Sequence, residues 1–154
     1  MSFDTKLLRQ AFGQFATGIA VVAVQTQTGK KLGLTINSFS SVSLDPPLLL
    51  FSLDKKSRIF DDFLNASAIG ISVLNEHQQS VSDNFAKQHE TGLENSFSLK
   101  TGAPLLMESL ANFDCEVRFH YEGGDHIIFV GEIIDFKKNE GKPLLYFSGK
   151  YHTI

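Results

Sequence analysis

Alternating apolar and polar positions recur along much of the chain, and they predict a protein built mainly from β-strands. Positions 34 and 36 are apolar while positions 35 and 37 are polar, which is the period-2 pattern of a half-buried strand. Residues 48–53 form an almost continuous apolar run, which is typical of a buried strand. Patterns of these two kinds predict strands at residues 19–25, 32–37, 48–53, 68–74, 111–122, 126–137 and 144–147.

Three shorter segments are predicted to be helical. The apolar residues of segment 5–15 recur at helical spacing, and so do Val81 and Phe85 in segment 76–86. A third helix is predicted at residues 57–64, with Ser57 as its N-cap. The connections between these elements are short, and none of them has the composition of a linker.

The order of these elements predicts the fold class, which is mainly β with short helices. Gly123-Gly124 lies between two long strand patterns and predicts a hairpin with a two-residue turn. Because an open sheet of six or so strands would expose long edges, we expect a closed or nearly closed barrel. The length of 154 residues fits a single domain over residues 1–154.

Composition and charge narrow the range of functions. The formal net charge is −3, so we expect no broad basic face for nucleic acid. No apolar run approaches the roughly 18 residues of a membrane span, and the first residues lack the pattern of a secretory leader. Cys115 is the single cysteine. We therefore expect a buried core thiol and a protein of the reducing cytoplasm.

The stretch 33–53 combines many hydroxyl side chains with few charges, and two interpretations of it stay open. Its hydroxyl and backbone N–H groups could bind a planar polar ligand. Alternatively, its serines could satisfy their own backbone in a connection between strands. The sequence alone favours the second interpretation somewhat, because turn serines commonly bond in this way.

A basic cluster follows that stretch directly. Lys55, Lys56 and Arg58 fall within four residues at a predicted strand end. Cations beside a hydroxyl and a predicted helix start would suit a phosphate group. A solvated basic turn is the alternative, and the sequence leaves both open.

The histidines do not predict a metal site. His77 and His89 are separated by a predicted loop, and His120 and His126 flank the Gly-Gly turn on opposite faces of the hairpin. His126 is instead a polar contact for a ligand or an exposed turn residue. The sequence also shows no phosphate-binding glycine loop, nucleophile motif or evident acid/base pair. Chemistry carried by a cofactor fits that absence.

Several segments together resemble a known family. They are FGQFATGIAVVAV at residues 12–24, GLTINSFSSVSLDPPLLLFSL at residues 33–53, GGDHIIFVGEI at residues 123–133 and LLYFSGKY at residues 144–151, with KSR at 56–58 and CEV at 115–117. The chain resembles the short-chain flavin reductases of the FMN-binding split-barrel group. That resemblance implies a split β-barrel homodimer that reduces FMN or FAD with NADH or NADPH, and in many members a separate monooxygenase receives the reduced flavin.

The resemblance also implies roles for individual residues. Those beside the isoalloxazine ring would be Thr17, Thr35, Asn37, Ser38 and Phe85. Those around the ribityl phosphate would be Ser52, Lys55, Ser57 and Arg58. Those that meet the nicotinamide cosubstrate would be His126 and Tyr151. No side chain is implied as an acid or base. The alternative is a flavin-binding module for electron transfer or storage that has no nicotinamide activity.

Overall fold

A computed structural model describes residues 2–87 and 91–154. Its helices are α1 (Thr5–Phe12), α2 (Phe60–Leu64) and α3 (Gln79–Ala86). Its strands are β1 (Thr17–Gly18), β2 (Ala20–Gln25), β3 (Lys31–Ile36), β4 (Ser40–Leu44), β5 (Pro47–Asp54), β6 (Ala68–Val73), β7 (Ala111–Gly123), β8 (His126–Lys138), β9 (Leu145–Phe147) and β10 (Lys150–His152).

Seven strands form one antiparallel sheet in the order β3-β2-β6-β7-β8-β5-β4. Leu34 of β3 and Phe51 of β5 lie near opposite ends of that order, yet both belong to one buried cluster. Phe51 stacks on Phe129 of β8 inside this cluster, with ring centroids 5.1 Å apart. The sheet therefore curls around a common core, while β3 and β4 do not pair with each other. The prediction of a nearly closed barrel is confirmed.

A second core covers the outside of the curled sheet. Strand β2 is buried on both faces, because Val22 and Val24 point into the barrel while Val21 and Ala23 face this second cluster. The second cluster is closed by α3 and by the small sheet β1-β9-β10. A side chain of more than one hydrogen does not fit at Gly33, since a Cβ there would lie 2.8 Å from the Phe85 ring. Helix α3 is thus held tightly against β3.

Several predicted bounds differ from the structure. The helix predicted at 57–64 begins only at Phe60, and its N-cap is Ile59, which makes no side-chain capping bond. Ser57 instead belongs to a turn in which its N–H bonds to the Asp54 carbonyl. The hairpin turn is Gly124-Asp125, because Gly123 pairs with His126. Strands β4 and β10 were not predicted, and the run 48–53 is fully buried on only one of its faces. Part of the predicted loop at 87–100, including His89, lies outside the described residues.

Many large apolar side chains remain exposed. Helix α1 buries none of its residues, and Phe12 just inside its end is 70% exposed. Leu44 on the edge strand β4 is 95% exposed. Where such exposed apolar side chains form a contiguous patch, they mark a surface for interaction with another molecule. In the described part of the chain, no helix is long and apolar enough to cross a membrane.

Cys115 lies in the core, as predicted. It is 1% exposed on β7, and burial raises the pKa of its thiol to about 12, with the neighbouring Asp114 carboxylate adding to the rise. The side chain is therefore a protonated core residue and takes no part in the surface chemistry described below.

Candidate functional site

A cleft lies where the end of β3 meets α3 and the small sheet. Its cavity has a volume of about 240 Å³. The residues that line it are Ile19, Thr35, Ile36, Asn37, Ser82, Ala86, Tyr146 and Tyr151. Two neighbouring hollows also include Asn37, and Thr17 lines both of them. Four residues of the predicted ring and nicotinamide groups, Thr17, Thr35, Asn37 and Tyr151, thus come together here.

A chain of hydrogen bonds fixes one wall of the cleft. The Thr35 hydroxyl donates to the Ser82 carbonyl over 2.6 Å. The Tyr151 hydroxyl donates to Asp83 over 2.9 Å, so the Ser82 hydroxyl, 2.8 Å away, donates to the Tyr151 oxygen. Burial raises the pKa of Tyr151, and the Asp83 carboxylate contributes to the rise. Tyr151 therefore stays protonated near neutral pH, and its ring is held in place by α3.

Two polar groups at the cleft are not used by this network. The Thr17 Oγ1 atom is buried and has no hydrogen-bond partner among the described residues. Such a buried hydroxyl is costly unless something bonds to it. The Asn37 side chain is exposed at the point where the three hollows meet. These groups could bond to the polar edge of a flat ligand lying between the apolar side chains of Ile19 and Ile36.

Ser38 and Ser52 connect the cleft to β5. The Ser38 hydroxyl accepts a hydrogen bond from the Ser52 N–H over 3.0 Å and donates one to the Ser52 carbonyl over 3.2 Å. The Ser38 hydroxyl therefore bonds to the backbone of Ser52. This agrees with the interpretation that serines of the stretch 33–53 satisfy backbone groups between strands. From Ser52 the strand runs three residues to Lys55, which is about 10 Å at the usual rise of a strand.

The basic cluster forms the turn that follows β5. The backbone of Lys55 bonds to the Asp125 carbonyl over 3.0 Å, and its Nζ pairs with Glu122 over 2.5 Å. Asp54 accepts bonds from the N–H groups of the next residues, including Ser57. Arg58 is exposed. Lys55 and Lys56 therefore lie beside the tip of the β7–β8 hairpin, where the Glu122 carboxylate is already paired with Lys55.

His126 begins β8 and belongs to this basic end of the molecule. It pairs with Asp54 across the sheet, and its Nδ1 lies 2.7 Å from the Asp125 carboxylate, which lowers the pKa of Asp125. Tyr151 lines the cleft with Thr35, whereas His126 is not among the lining residues of that cavity. Within residues 2–87 and 91–154, no three His, Cys, Asp or Glu side chains are arranged to hold a metal ion.

Phe85 is placed differently from the expectation. It is 1% exposed and packs under Gly33 in the second core, so it supports the floor of the cleft without lining it. Sequence reasoning missed Ser82, Asp83 and Tyr146. Ser82 and Asp83 lie on a helix whose pattern indicated only one apolar face, and no motif singled them out.

Comparison with known proteins places these features in context. A family model described as the flavin reductase like domain matches residues 12–154. The chain is 40% identical to a probable flavin reductase of Rhizobium meliloti (strain 1021), covering 98% of this chain and 49% of that protein. It is 35% identical to the NADH-dependent flavin reductase StyB of Pseudomonas fluorescens, covering 99% of this chain and 91% of that one. The chain thus spans about half the length of the first relative and most of the second.

Solved structures agree with the fold. The flavin reductase PheA2 in its native state superposes with a TM-score of 0.91 at 38% identity, over 99% of each chain. The NADH:FAD oxidoreductase SgcE6 of Streptomyces globisporus, in complex with NAD and FAD fragments, gives 0.90 at 33% identity, over 97% of this chain and 92% of that one. The curled sheet is therefore a split barrel of the kind these neighbours have.

Proposed function

The chain belongs to the family of flavin reductase like domains, and from that premise we propose that it transfers hydride from NADH to a flavin. The structural observation that carries the proposal is the cleft around Asn37, where apolar walls meet the Thr17 hydroxyl, which has no hydrogen-bond partner in the described part of the chain. NADH is proposed as the donor because two relatives are named for NADH: StyB, and the FMN reductase (NADH) SmoA of Agrobacterium fabrum (strain C58 / ATCC 33970).

The residues of the cleft fit a flavin. Thr17 and Asn37 would bond to the edge of the isoalloxazine ring, with Thr35 beside them and Ile19 and Ile36 against its faces. Ser38 would lie beside the isoalloxazine ring and Ser52 towards the ribityl phosphate, since their two hydrogen bonds fix the chain at the cleft to β5, which leads to the basic turn. The phosphate of FMN, or the first phosphate of FAD, would lie at Lys55, Ser57 and Arg58. Because α2 begins only at Phe60, side chains and turn N–H groups would hold it without a helix end.

The flavin, when bound, supplies the ring that accepts hydride from the nicotinamide. The protein's contribution is position, because close approach in the right orientation accounts for most of the rate in such a step. The Asn37 carboxamide would hold the ring edge and would stabilise negative charge there. Tyr151 stays protonated and bonded to Asp83, so it orders the wall of the cleft and moves no proton. We assign no side chain as a general acid or base.

We further propose that a separate monooxygenase takes up the reduced flavin. One relative is named as the reductase component of the flavin-dependent trigonelline monooxygenase of Acinetobacter baylyi (strain ATCC 33305 / BD413 / ADP1). The chain is 39% identical to it and covers 48% of that protein. The lone buried thiol supports the proposal that the protein works in the cytoplasm.

Steady-state kinetics test the main proposal. With FMN or FAD added, the purified protein should oxidise NADH catalytically, as followed by the loss of nicotinamide absorbance. NADPH serves as the comparison donor and should be slower. Tight flavin binding without turnover by either donor would contradict the proposal and would favour the flavin-binding module for electron transfer or storage.

Removal of a cation at the basic turn tests the phosphate assignment. Arg58→Ala should weaken FMN by more than tenfold, because a hydrogen bond between charged groups contributes about 1.5–3 kcal/mol. Riboflavin lacks the phosphate and should lose little affinity. Fluorescence titration of both ligands measures this, with the exposed Lys142→Ala as the control variant. An equal loss for the two flavins would remove the phosphate from this turn.

The role of His126 is tested by kinetics on His126→Ala. If His126 contacts the nicotinamide nucleotide, the KM for NADH should rise between a few-fold and about a hundredfold, since a neutral or a charged hydrogen bond is lost. The kcat should fall less, and flavin affinity should stay nearly unchanged. Asp125→Asn serves as the matched control, because it keeps a hydrogen-bonding group beside His126 without the charge. Unaltered NADH kinetics would refute the assignment.

We also propose that two copies of the chain form a homodimer. Exposed Phe12, Phe15 and Leu44 give the kind of apolar surface that a twofold partner covers. Sedimentation velocity should give a mass near twice 17.1 kDa, and the double variant Phe12→Glu/Leu44→Glu should lower it. A stable monomer that still binds flavin would overturn this proposal.

A further inference from the structure

A further cavity, separate from the cleft and its two neighbouring hollows, lies beside the basic turn. Its volume is about 430 Å³, and it separates α2 from the tip of the β7–β8 hairpin. Phe60, Leu64 and Ile127 give it an apolar floor. The ion pair between Lys55 and Glu122 stands at its rim. We refer to it below as the hairpin groove.

The wall of the hairpin groove presents an aromatic ring to solvent. Tyr121 is 52% exposed, and Phe119 supports it with ring centroids 5.9 Å apart. The neighbouring His120 is held by an edge-on contact with the core residue Phe129, at 4.8 Å between centroids. A supported, exposed aromatic ring over an apolar floor suits a flat heterocycle, which would bury both of its faces.

Polar groups at the rim match one kind of heterocycle. The Glu122 carboxylate is an acceptor for an exocyclic amine, as carboxylates are for the amino groups of bases. Lys55 is a donor for a phosphate. Lys55 also belongs to the basic turn, so the hairpin groove begins where the proposed flavin phosphate ends. FMN would leave the hairpin groove empty, whereas a dinucleotide has a second half that could enter it.

We propose that the hairpin groove binds the adenosine diphosphate half of a dinucleotide, with adenine against Tyr121 and the diphosphate at Lys55. This assignment rests on the proposed function, because that function is what makes a dinucleotide the expected ligand. Both FAD and NADH contain this group. His126 is the proposed contact for the nicotinamide nucleotide, and it pairs with Asp54 next to Lys55. The adenosine diphosphate group could therefore come from NADH as well as from FAD.

Binding measurements on Tyr121→Ala test the proposal directly. ADP serves as the probe, and calorimetry should detect its binding to the wild-type protein. Tyr121→Ala should weaken ADP by about five- to 150-fold, the range for losing one base stacked on an aromatic side chain. Tyr121→Phe should keep most of the affinity. Phe136→Ala, a change to another exposed aromatic residue of the same hairpin, should have no effect.

The source of the adenosine is decided by two further measurements on the same variants. If it belongs to FAD, Tyr121→Ala should weaken FAD and leave FMN and riboflavin unchanged. If it belongs to NADH, the variant should raise the KM for NADH with FMN as acceptor. Leu64→Gln, which alters the floor from a separate element, should act in the same direction and guards against a local misfold of the strand.

Each outcome has a definite consequence. Absence of ADP binding to the wild-type protein, or ADP affinity equal in wild-type and Tyr121→Ala protein, would overturn the assignment of the hairpin groove. Loss of riboflavin and FMN together with ADP in both variants would do the same, because it would mean a general structural role for Tyr121. Failure of NADH oxidation with intact, Tyr121-dependent ADP binding would instead count against the reductase proposal alone.

Discussion

The structure depends on one constraint, which is that strands from both ends of a seven-stranded sheet bury their apolar faces in a single core. Leu34 of β3 and Phe51 of β5 lie far apart in the strand order and pack in the same cluster. Satisfying that burial forces the sheet to curl, and curling brings the end of β3 next to the middle of β5. The reciprocal bonds between Ser38 and Ser52 then fasten the two strands at this point. Because of these bonds, the chain that leaves the cleft at Asn37 is fixed to β5, whose end leads into the basic turn.

The polar groups at the cleft are of two kinds: those already hydrogen-bonded within the protein and those still able to bond to a ligand. On the wall formed by α3, the hydroxyls of Thr35 and Tyr151 are committed to Ser82 and Asp83, so they give rigidity. At the junction of the hollows, Asn37 and Thr17 retain bonding capacity. Under the proposed function, the bonded hydroxyls would hold the wall of the cleft in place while Asn37 and Thr17 would bond to the ring.

Most of the strands and helices, and some of the residues at the cleft, could be predicted from the sequence. The unbroken apolar run of β2 reflects burial on both faces, and period-2 patterns identified most other strands of the large sheet. Strand β4 was not predicted because its residues are mostly exposed and give no apolar pattern. It is an edge strand, which pairs with β5 alone. Ser57 was a plausible cap by composition, but it lies in the turn that follows Asp54, and α2 begins only at Phe60. The bond between Ser82 and Tyr151 joins residues 69 positions apart, and only tertiary packing brings them together.

If a phosphate binds at Lys55, the ion pair between Lys55 and Glu122 would affect how fast that phosphate is released. An incoming phosphate would have to displace the Glu122 carboxylate from Lys55. The net binding free energy at Lys55 would therefore be the difference between its interaction with the phosphate and its interaction with Glu122. Glu122 would return to Lys55 as the ligand leaves, which would favour its release. Both partners are open to solvent, with side-chain exposures of 37% and 78%, so the exchange needs no movement of the core. If the chain passes reduced flavin to another protein, as proposed, such exchange would serve it better than tight retention.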